Sequence, residues 1–171
     1  ITSFDPVRIY RFDDVFIRFC AEEYHPFDAD RSNKYVVQDG SKAIYEMPSF
    51  KDIYKNYGFS SKVMFENYIS KRGHDVKAFW ERIDEALVKV VLNAEPDVRQ
   101  SLKKFKYSPT HFFELVRFDI VLDVNLNPYV LEVNMSPNIT PAHKKYEECA
   151  PIYEQMPHNV IQMAGGGSYT Q

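Results

Sequence analysis

The chain has 171 residues, of which 44% are hydrophobic and 15% aromatic, and its formal net charge is −3. This size and composition suit one globular domain with a hydrophobic core and argue against disorder, and the charge gives no reason to expect a nucleic acid as the main partner. Two cysteines, Cys20 and Cys149, are too few for a disulfide framework or a zinc site and mildly favour a reducing compartment. No apolar run approaches the roughly 20 residues of a membrane span.

The first third of the chain alternates strand formers with turn residues. Residues 7–12 and 15–19 are β-branched and aromatic, and they flank Asp13-Asp14, which predicts a β-hairpin. Residues 25–61 are punctuated by proline and glycine around one short apolar run, so they are expected to be mostly loop.

The middle of the chain predicts helices. Ser61 is a candidate cap for a short helix over 62–72 that Gly73 ends, and Asp75 is a candidate cap for the next helix. Pro96 is expected to stop that second helix, and the basic segment 98–107, VRQSLKKFKY, is a possible further one. The apolar face of the second helix is defined by Val76, Phe79, Trp80, Ile83, Leu87, Val90 and Val91.

The last part of the chain carries three prolines that bear on its helices. Thr140-Pro141 fits an N-cap and a first helical position. Pro151 and Pro157 lie in the segment that follows, which predicts a kinked or two-part helix.

The stretch FDIVLDVNLNPYVLEVN, residues 118–134, contains two mostly apolar runs with a carboxylate inside each. Two antiparallel strands joined by a symmetric four-residue loop would pair Asp123 with Pro128 and therefore Asp119 with Glu132. Side chains alternate between the faces of a strand. One face is then expected in a core, with Phe118, Ile120, Leu122, Tyr129, Leu131 and Val133. The other face carries Arg117, Asp119, Val121, Asp123, Val130, Glu132 and Asn134.

Two carboxylates directly opposite each other on one face repel, because their Cβ atoms lie about 4.5–5.5 Å apart. Protonation of one acid, pairing with Arg117, or a divalent cation between the acids can each offset the repulsion, and spacing alone leaves these alternatives open. Asn134 adds a neutral oxygen to the same face. Two carboxylates and an amide oxygen suit Mg²⁺ better than zinc or copper. Asp123, by contrast, is more typical of a solvated acid on a sheet surface.

Two segments resemble a known family. FFELVRFDIVLDVNLNPYVLEVNMSPN, residues 112–138, resembles the C-terminal signature of the tubulin tyrosine ligase-like family, and ITSFDPVRIYRFDDVFIRFCAEEY, residues 1–24, resembles a second segment of that family. The resemblance implies that residues 1–164 are the C-terminal portion of an ATP-grasp ligase domain. That fold is of the α/β (α+β) class, an antiparallel sheet with flanking helices. Residues 165–171, GGGSYTQ, are expected to form a flexible tail.

The resemblance also implies a reaction and its partners. Family members use ATP and Mg²⁺ to activate an acceptor carboxylate as an acyl phosphate, which the amine of an amino acid, most often glutamate, then attacks. The expected partners are tubulin tails or another acidic protein, the free amino acid, and an upstream half of the same domain that would precede Ile1. Without that half this piece is expected to be inactive alone. The expected location is the cytoplasm, at microtubules or cilia.

The family's site residues fall on five positions of this sequence. Its magnesium ligands match Asp119, Glu132 and Asn134, which would hold the metal and its nucleotide, with Glu132 also essential for catalysis. Arg18 matches the arginine that binds the carboxylate of the incoming amino acid or of the acceptor. Lys34 stands in the nucleotide or substrate site where the family has an asparagine, if Gln38 marks the register.

The departures from the family pattern support a second reading. Arg117 replaces a glycine beside the metal ligands, and Lys34 replaces the asparagine. A catalytically inactive relative that acts as a microtubule- or protein-binding module is therefore the alternative, although the acid pair favours the enzyme. Two basic groups fit either reading: Lys103, Lys104 and Lys106 suit an acidic tail, and Lys144-Lys145 suit phosphate or an acidic peptide. The sequence does not fix the transferred amino acid, the acceptor, or single against multiple addition.

Overall fold

A computed structural model describes residues 1–37, 42–43, 47–48, 60–108, 111–139 and 150–165, and it shows a mixed α+β chain. The described strands pair antiparallel in two-stranded sheets, β1 with β2, β3 with β4 and β5 with β6. None of the described helices is both long and apolar enough to cross a bilayer. The elements are β1 Ser3–Phe4, β2 Val7–Arg8, β3 Arg18–Phe19, a 3₁₀ turn Ser32–Lys34, β4 Lys42–Ala43, α1 Ser61–Ser70, α2 Val76–Leu102, β5 Val116–Leu122, β6 Pro128–Met135 and α3 Ala150–Gly165.

The chain divides into two compact units. One unit consists of Ile1–Phe12 and Lys77–Gln171, and it contains β1, β2, nearly all of α2, the β5–β6 hairpin and α3. The other consists of Asp13–Val76 and contains β3, β4 and α1.

The hairpin predicted around Asp13-Asp14 is wrong. β2 pairs with β1, Phe4 opposite Val7, and β3 pairs with β4, Arg18 opposite Ala43. Instead of turning the chain, the two aspartates bind the start of α1. Asp14 Oδ1 accepts the backbone N–H of Lys62 at 3.1 Å, and the Lys62 ammonium pairs with Asp13 at 3.1 Å. These contacts replace the tight turn that an Asp-Asp pair forms poorly.

The short helix α1 lies close to its predicted place. Ser60 caps it one residue before the expected Ser61, and its hydroxyl accepts the N–H of Val63 at 3.2 Å. Gly73 follows with a φ of +82°, a conformation that favours glycine. The core of this unit lies on one side of α1 and includes Met64, Phe65 and Ile69.

The long helix α2 does not stop at Pro96, so that prediction is wrong. It runs through the proline and includes the first part of the segment predicted as a separate helix. A proline inside a helix removes one hydrogen bond and costs about 3 kcal/mol. Arg99, three residues beyond the proline, pairs with Glu95 at 2.9 Å and Asp5 at 3.2 Å, and accessible ion pairs such as these offset only a small part of that cost.

The predicted apolar face of α2 is confirmed, since each of its seven residues is buried or partly buried. Trp80, expected in the core, is partly buried, and the guanidinium of Arg11 lies over its ring, 4.7 Å from the centroid. Arg11 also pairs with Asp84 at 2.6 Å. The buried apolar residues of this unit are Phe4, Phe79, Ile83, Val91 and Ile152.

The last helix, α3, is continuous through Pro157, which excludes a two-part arrangement. Pro151 lies in its first turn, where proline is tolerated. Thr140-Pro141 and residues 166–171 of the expected tail lie outside the described residues, and Gly165 is the last residue of the helix.

A matched pair of isoleucines tests the core around α1. Ile69 is 1% exposed and Ile161 is 70% exposed. In the intact protein, Ile69→Ala is expected to lower the free energy of unfolding by about 2–4 kcal/mol, because it leaves a cavity, whereas Ile161→Ala should change it by less than about 0.5 kcal/mol. Chemical denaturation measures both, and equal losses would contradict this core assignment.

Candidate metal and nucleotide site

The β5–β6 hairpin confirms the predicted pairing of Asp119 with Glu132. Between this pair and the loop, however, the strands pair in a register that differs from the predicted one. The pairs run regularly from Val116 opposite Met135 to Asp119 opposite Glu132, and then shift so that Ile120 lies opposite Val130. The pairing expected between Asp123 and Pro128 is wrong, because Leu122 occupies that place. The loop is one residue longer than expected, and a bulge at Leu131 compensates for the extra residue.

Asp123 sets the length of the loop. Its carboxylate accepts the backbone N–H groups of Asn125 at 2.9 Å and Asn127 at 2.8 Å, and the side-chain amide of Asn127 at 2.9 Å. Hydrogen bonds from the Asn127 backbone and side chain, followed by that from Asn125, hold the pKa of Asp123 below its ordinary value of 3.8. Asp123 is therefore a turn residue whose oxygens are already engaged.

The bulge also changes which side chains share a face. Tyr129 lies opposite Val121, and both are exposed, at 55% and 46%. Leu131 is 70% exposed and Val133 is 41% exposed. The expectation that Tyr129, Leu131 and Val133 lie in a core is therefore wrong, and Val130 takes the place opposite the partly buried Ile120.

The polar face of the hairpin is connected by hydrogen bonds among four side chains. Arg117 Nε donates to Asp119 Oδ1 at 3.0 Å, and its Nη2 donates to Asp119 Oδ2 at 3.3 Å. With the amide of Asn134 oriented to satisfy both neighbours, its NH₂ donates to Glu132 Oε1 at 3.0 Å and its oxygen accepts from Arg117 Nη2 at 3.1 Å. Of the three ways to offset the repulsion, the structure shows the pairing with Arg117.

The donor set on this face fits a magnesium ion. Asp119 and Glu132 lie on adjacent strands, Asn134 follows on the same face, and the Asp119 side chain is 41% exposed. No cluster of three or more histidine, cysteine, aspartate or glutamate residues with metal-binding geometry occurs in the described part of the chain. Two carboxylates and one amide oxygen are a small set, as is usual where water or phosphate completes the coordination of Mg²⁺.

The other two candidate site residues lie in the unit Asp13–Val76. Arg18 is exposed and begins β3. Lys34 ends the 3₁₀ turn, is 8% exposed, and its ammonium donates to the carbonyl of Pro26. Gln38, which sets the family register of Lys34, and Lys144-Lys145 lie outside the described residues.

Glu114 contacts the backbone just beyond Asn134, and the sequence pattern did not predict this contact. Its Oε1 accepts the backbone N–H of Ser136 at 3.1 Å, and the same N–H lies 3.2 Å from the carbonyl of Leu115. Ser136 has a φ of +48°, so these contacts fix an unusual backbone turn just beyond Asn134. In the sequence, the only signal for this contact was a glutamate directly after two aromatic residues, in the stretch FFEL.

The fold and the site together define a mixed α+β module with an all-oxygen candidate metal site on a β-hairpin. The chain belongs to the tubulin-tyrosine ligase family, whose model matches residues 1–164. It is similar to a protein of Caenorhabditis elegans named probable tubulin polyglutamylase ttll-15, with 38% identity over 96% of this chain and 32% of the relative. It is also similar to human tubulin monoglutamylase TTLL4, with 34% identity over 96% of this chain and 14% of the relative.

A third relative, tubulin polyglutamylase TTLL7 of Xenopus tropicalis, is 30% identical over 81% of this chain and 16% of its own length. The chain thus spans about a third or less of these relatives. No solved structure matches it.

The depressed pKa of Asp123 gives a test of the loop. A carboxyl group whose pKa is lower in the folded than in the unfolded protein stabilises the fold. This contribution is present above the unfolded-state pKa and is lost as the pH falls through the folded-state pKa. Asn127→Ala is expected to raise the pKa of Asp123, because it removes the side-chain donor, whereas Asn125→Ala should leave it in place, because Asn125 donates only its backbone N–H. Carbon-detected NMR titration of the carboxyl group distinguishes the two, and an unchanged pKa in the Asn127 variant would contradict the assignment.

Proposed function

We propose that this chain is the C-terminal portion of the ATP-grasp domain of an ATP-dependent ligase that adds glutamate to a carboxylate of tubulin or another protein. The observation that carries the proposal is the pairing of Asp119 with Glu132 beside Asn134 on an accessible sheet face. Membership of the tubulin-tyrosine ligase family and similarity to relatives named tubulin polyglutamylase and monoglutamylase support the choice of reaction.

The proposed reaction has two steps. The γ-phosphoryl group of ATP passes to an oxygen of the acceptor carboxylate, which gives ADP and an acyl phosphate. The amine of the incoming amino acid then attacks the acyl carbon, the C–N bond forms, the C–O bond to phosphate breaks, and the amine loses a proton. Magnesium, when bound, neutralises phosphate charge.

Each candidate residue has a role in this proposal. Asp119, Glu132 and Asn134 would hold the metal together with the nucleotide. The guanidinium of Arg18 would bind and orient a carboxylate, either that of the amino acid or that of the acceptor, by paired hydrogen bonds. Lys34 would support the loop of the nucleotide or substrate site, because its ammonium is buried against the carbonyl of Pro26.

An acidic protein partner suits the surface that follows α2. Lys103, Lys104 and Lys106 are exposed and form no ion pair with any of the described residues. The sequence contains no acidic residue between Asp97 and Glu114. Lysines after a helix C-terminus also interact favourably with the helix dipole, which requires no partner. In the proposal the same charges attract an acidic tail, and the working place is the cytoplasm, at microtubules or cilia.

Arg117 supports the alternative, an inactive relative that binds microtubules or another protein. Its guanidinium already supplies the positive charge that the acids need, through two hydrogen bonds to Asp119. Magnesium-dependent binding of ATP by the full-length protein separates the two functions, because only the ligase requires it.

Replacement of Glu132 tests the ligase. Glu132→Gln removes a charge that would hold the metal and also removes the repulsion with Asp119, so ligation should be lost while the protein stays folded. Glu81→Gln, at an exposed position of α2, is the matched control and should keep full activity. Mass spectrometry of tubulin incubated with the full-length protein, ATP and mixed amino acids gives the readout. Undiminished ligation by the Glu132 variant would remove Glu132 from the mechanism.

Reversal of the three lysines tests the acidic partner. Lys103→Glu, Lys104→Glu and Lys106→Glu together are expected to weaken binding of a glutamate-rich peptide at least tenfold at low salt, with a smaller loss at high salt, because exposed charges are screened. The control carries the same reversal at Lys71, Lys77 and Lys89, which are also exposed. Fluorescence anisotropy measures the dissociation constants, and equal weakening by both triple variants would count against a specific surface.

A further inference from the structure

Arg117 engages most of the oxygen atoms that a metal ion would use. Both carboxylate oxygens of Asp119 accept hydrogen bonds from its guanidinium, at 3.0 and 3.3 Å. The amide oxygen of Asn134 accepts from the same guanidinium at 3.1 Å. Two of the three candidate ligands are thus directed toward an organic cation, and the third, Glu132, is linked to it through the Asn134 amide.

A guanidinium and a divalent cation compete for the same oxygens, although each oxygen has a second lone pair. Each hydrogen bond from Arg117 takes a lone pair that would otherwise point to the metal, and the two cations repel at contact distance. Arg117 and Asp119 are two residues apart on one strand, so their side chains share the face and meet without any backbone change.

The pair is also weak enough to open. The side chains of Arg117 and Asp119 are 48% and 41% exposed, and ion pairs as accessible as this one contribute little net stability. A long, flexible arginine can swing into solvent when a stronger cation arrives.

We propose that Arg117 is an internal counterion that holds the Asp119–Glu132 pair together in the metal-free protein and leaves Asp119 when a divalent cation binds. It thereby raises the concentration of metal at which the site fills. The inference rests on the proposed function, because it takes the acid pair to be a metal site, and it assigns to Arg117 a positioning role and not a catalytic one.

The test is the affinity of the full-length protein for Mg²⁺, measured by isothermal titration calorimetry with Mg²⁺ alone and again with a non-hydrolysable ATP analogue. Arg117→Ala should bind Mg²⁺ roughly two- to fivefold more tightly than the wild type, since that range corresponds to the loss of one exposed ion pair. Arg117→Lys keeps the charge but loses the paired hydrogen bonds, so its affinity should lie between the two.

Thermal unfolding supplies a readout that does not involve activity. Arg117→Ala should unfold at a lower temperature than the wild type without metal, because the acids then repel without a counterion, and the difference should disappear at saturating Mg²⁺. The control is Arg99→Ala, which removes exposed ion pairs to Asp5 and Glu95. It should lower the unfolding temperature equally at every Mg²⁺ concentration and leave the Mg²⁺ affinity unchanged.

Each result decides one of the two claims. If the wild type binds Mg²⁺, Asp119→Asn abolishes that binding, and Arg117→Ala binds no more tightly, then only the role of Arg117 is overturned. Weaker binding by Arg117→Ala overturns it as well, because the arginine would then assist the metal or its nucleotide. If neither the wild type nor Arg117→Ala binds Mg²⁺, the metal site fails, and the proposed ligase function fails with it.

Discussion

The closeness of two negative charges on one sheet face is the constraint on which the rest of the site depends. Backbone pairing fixes Asp119 opposite Glu132, and neither side chain can leave that face without a change of register. A cation must therefore balance them, or one acid must take a proton. Arg117 neutralises the charge of Asp119 directly. Asn134 accepts a hydrogen bond from Arg117 and donates one to Glu132. The polar face thus behaves as one connected unit, in which a change at any of the four residues alters the surroundings of the other three.

Two departures from regular hairpin geometry preserve this pairing. The Asp123 loop contains one residue more than a symmetric four-residue turn, and the bulge at Leu131 adds one residue to the opposite strand segment. The pairing of Asp119 with Glu132 was predicted correctly from sequence because the extra loop residue and the bulge residue compensate for each other by the time the strands reach Asp119. The face assignment failed at Tyr129 and Leu131 because both lie where the register is shifted, whereas Val133 is exposed although its pairing with Phe118 is regular. A period-two pattern cannot reveal a bulge, because the apolar residues on either side of it look alike.

The other differences between expectation and structure arise from contacts distant in sequence. The apolar face of α2 was predictable because helical spacing alone determines it. The fate of Asp13 and Asp14 was not, because it depends on Lys62, about fifty residues along the chain. Pro96 was a sound local stop signal, yet the helix continues past it to Leu102, and Arg99 beyond the proline pairs with Asp5, far away in sequence. Of the candidate site, the pairing of Asp119 with Glu132 was predictable from sequence, while the choice of Arg117 as their counterion and the burial of Lys34 required coordinates.

The two departures from the family pattern have different weight in choosing between a ligase and an inactive relative. The ammonium of Lys34 is buried on the backbone carbonyl of Pro26, so a change at this position bears on the support of a loop. Arg117 hydrogen-bonds Asp119 and Asn134, two of the three candidate metal ligands. A binding module that never meets a metal would relieve the repulsion most simply by losing one acid, and it would then need no arginine. This chain keeps both acids and the amide, and it adds an exposed cation, which we propose to be displaceable. Two acids, an amide and an exposed arginine together favour a site that binds and releases a metal ion over one in which Arg117 stays paired with the acids permanently.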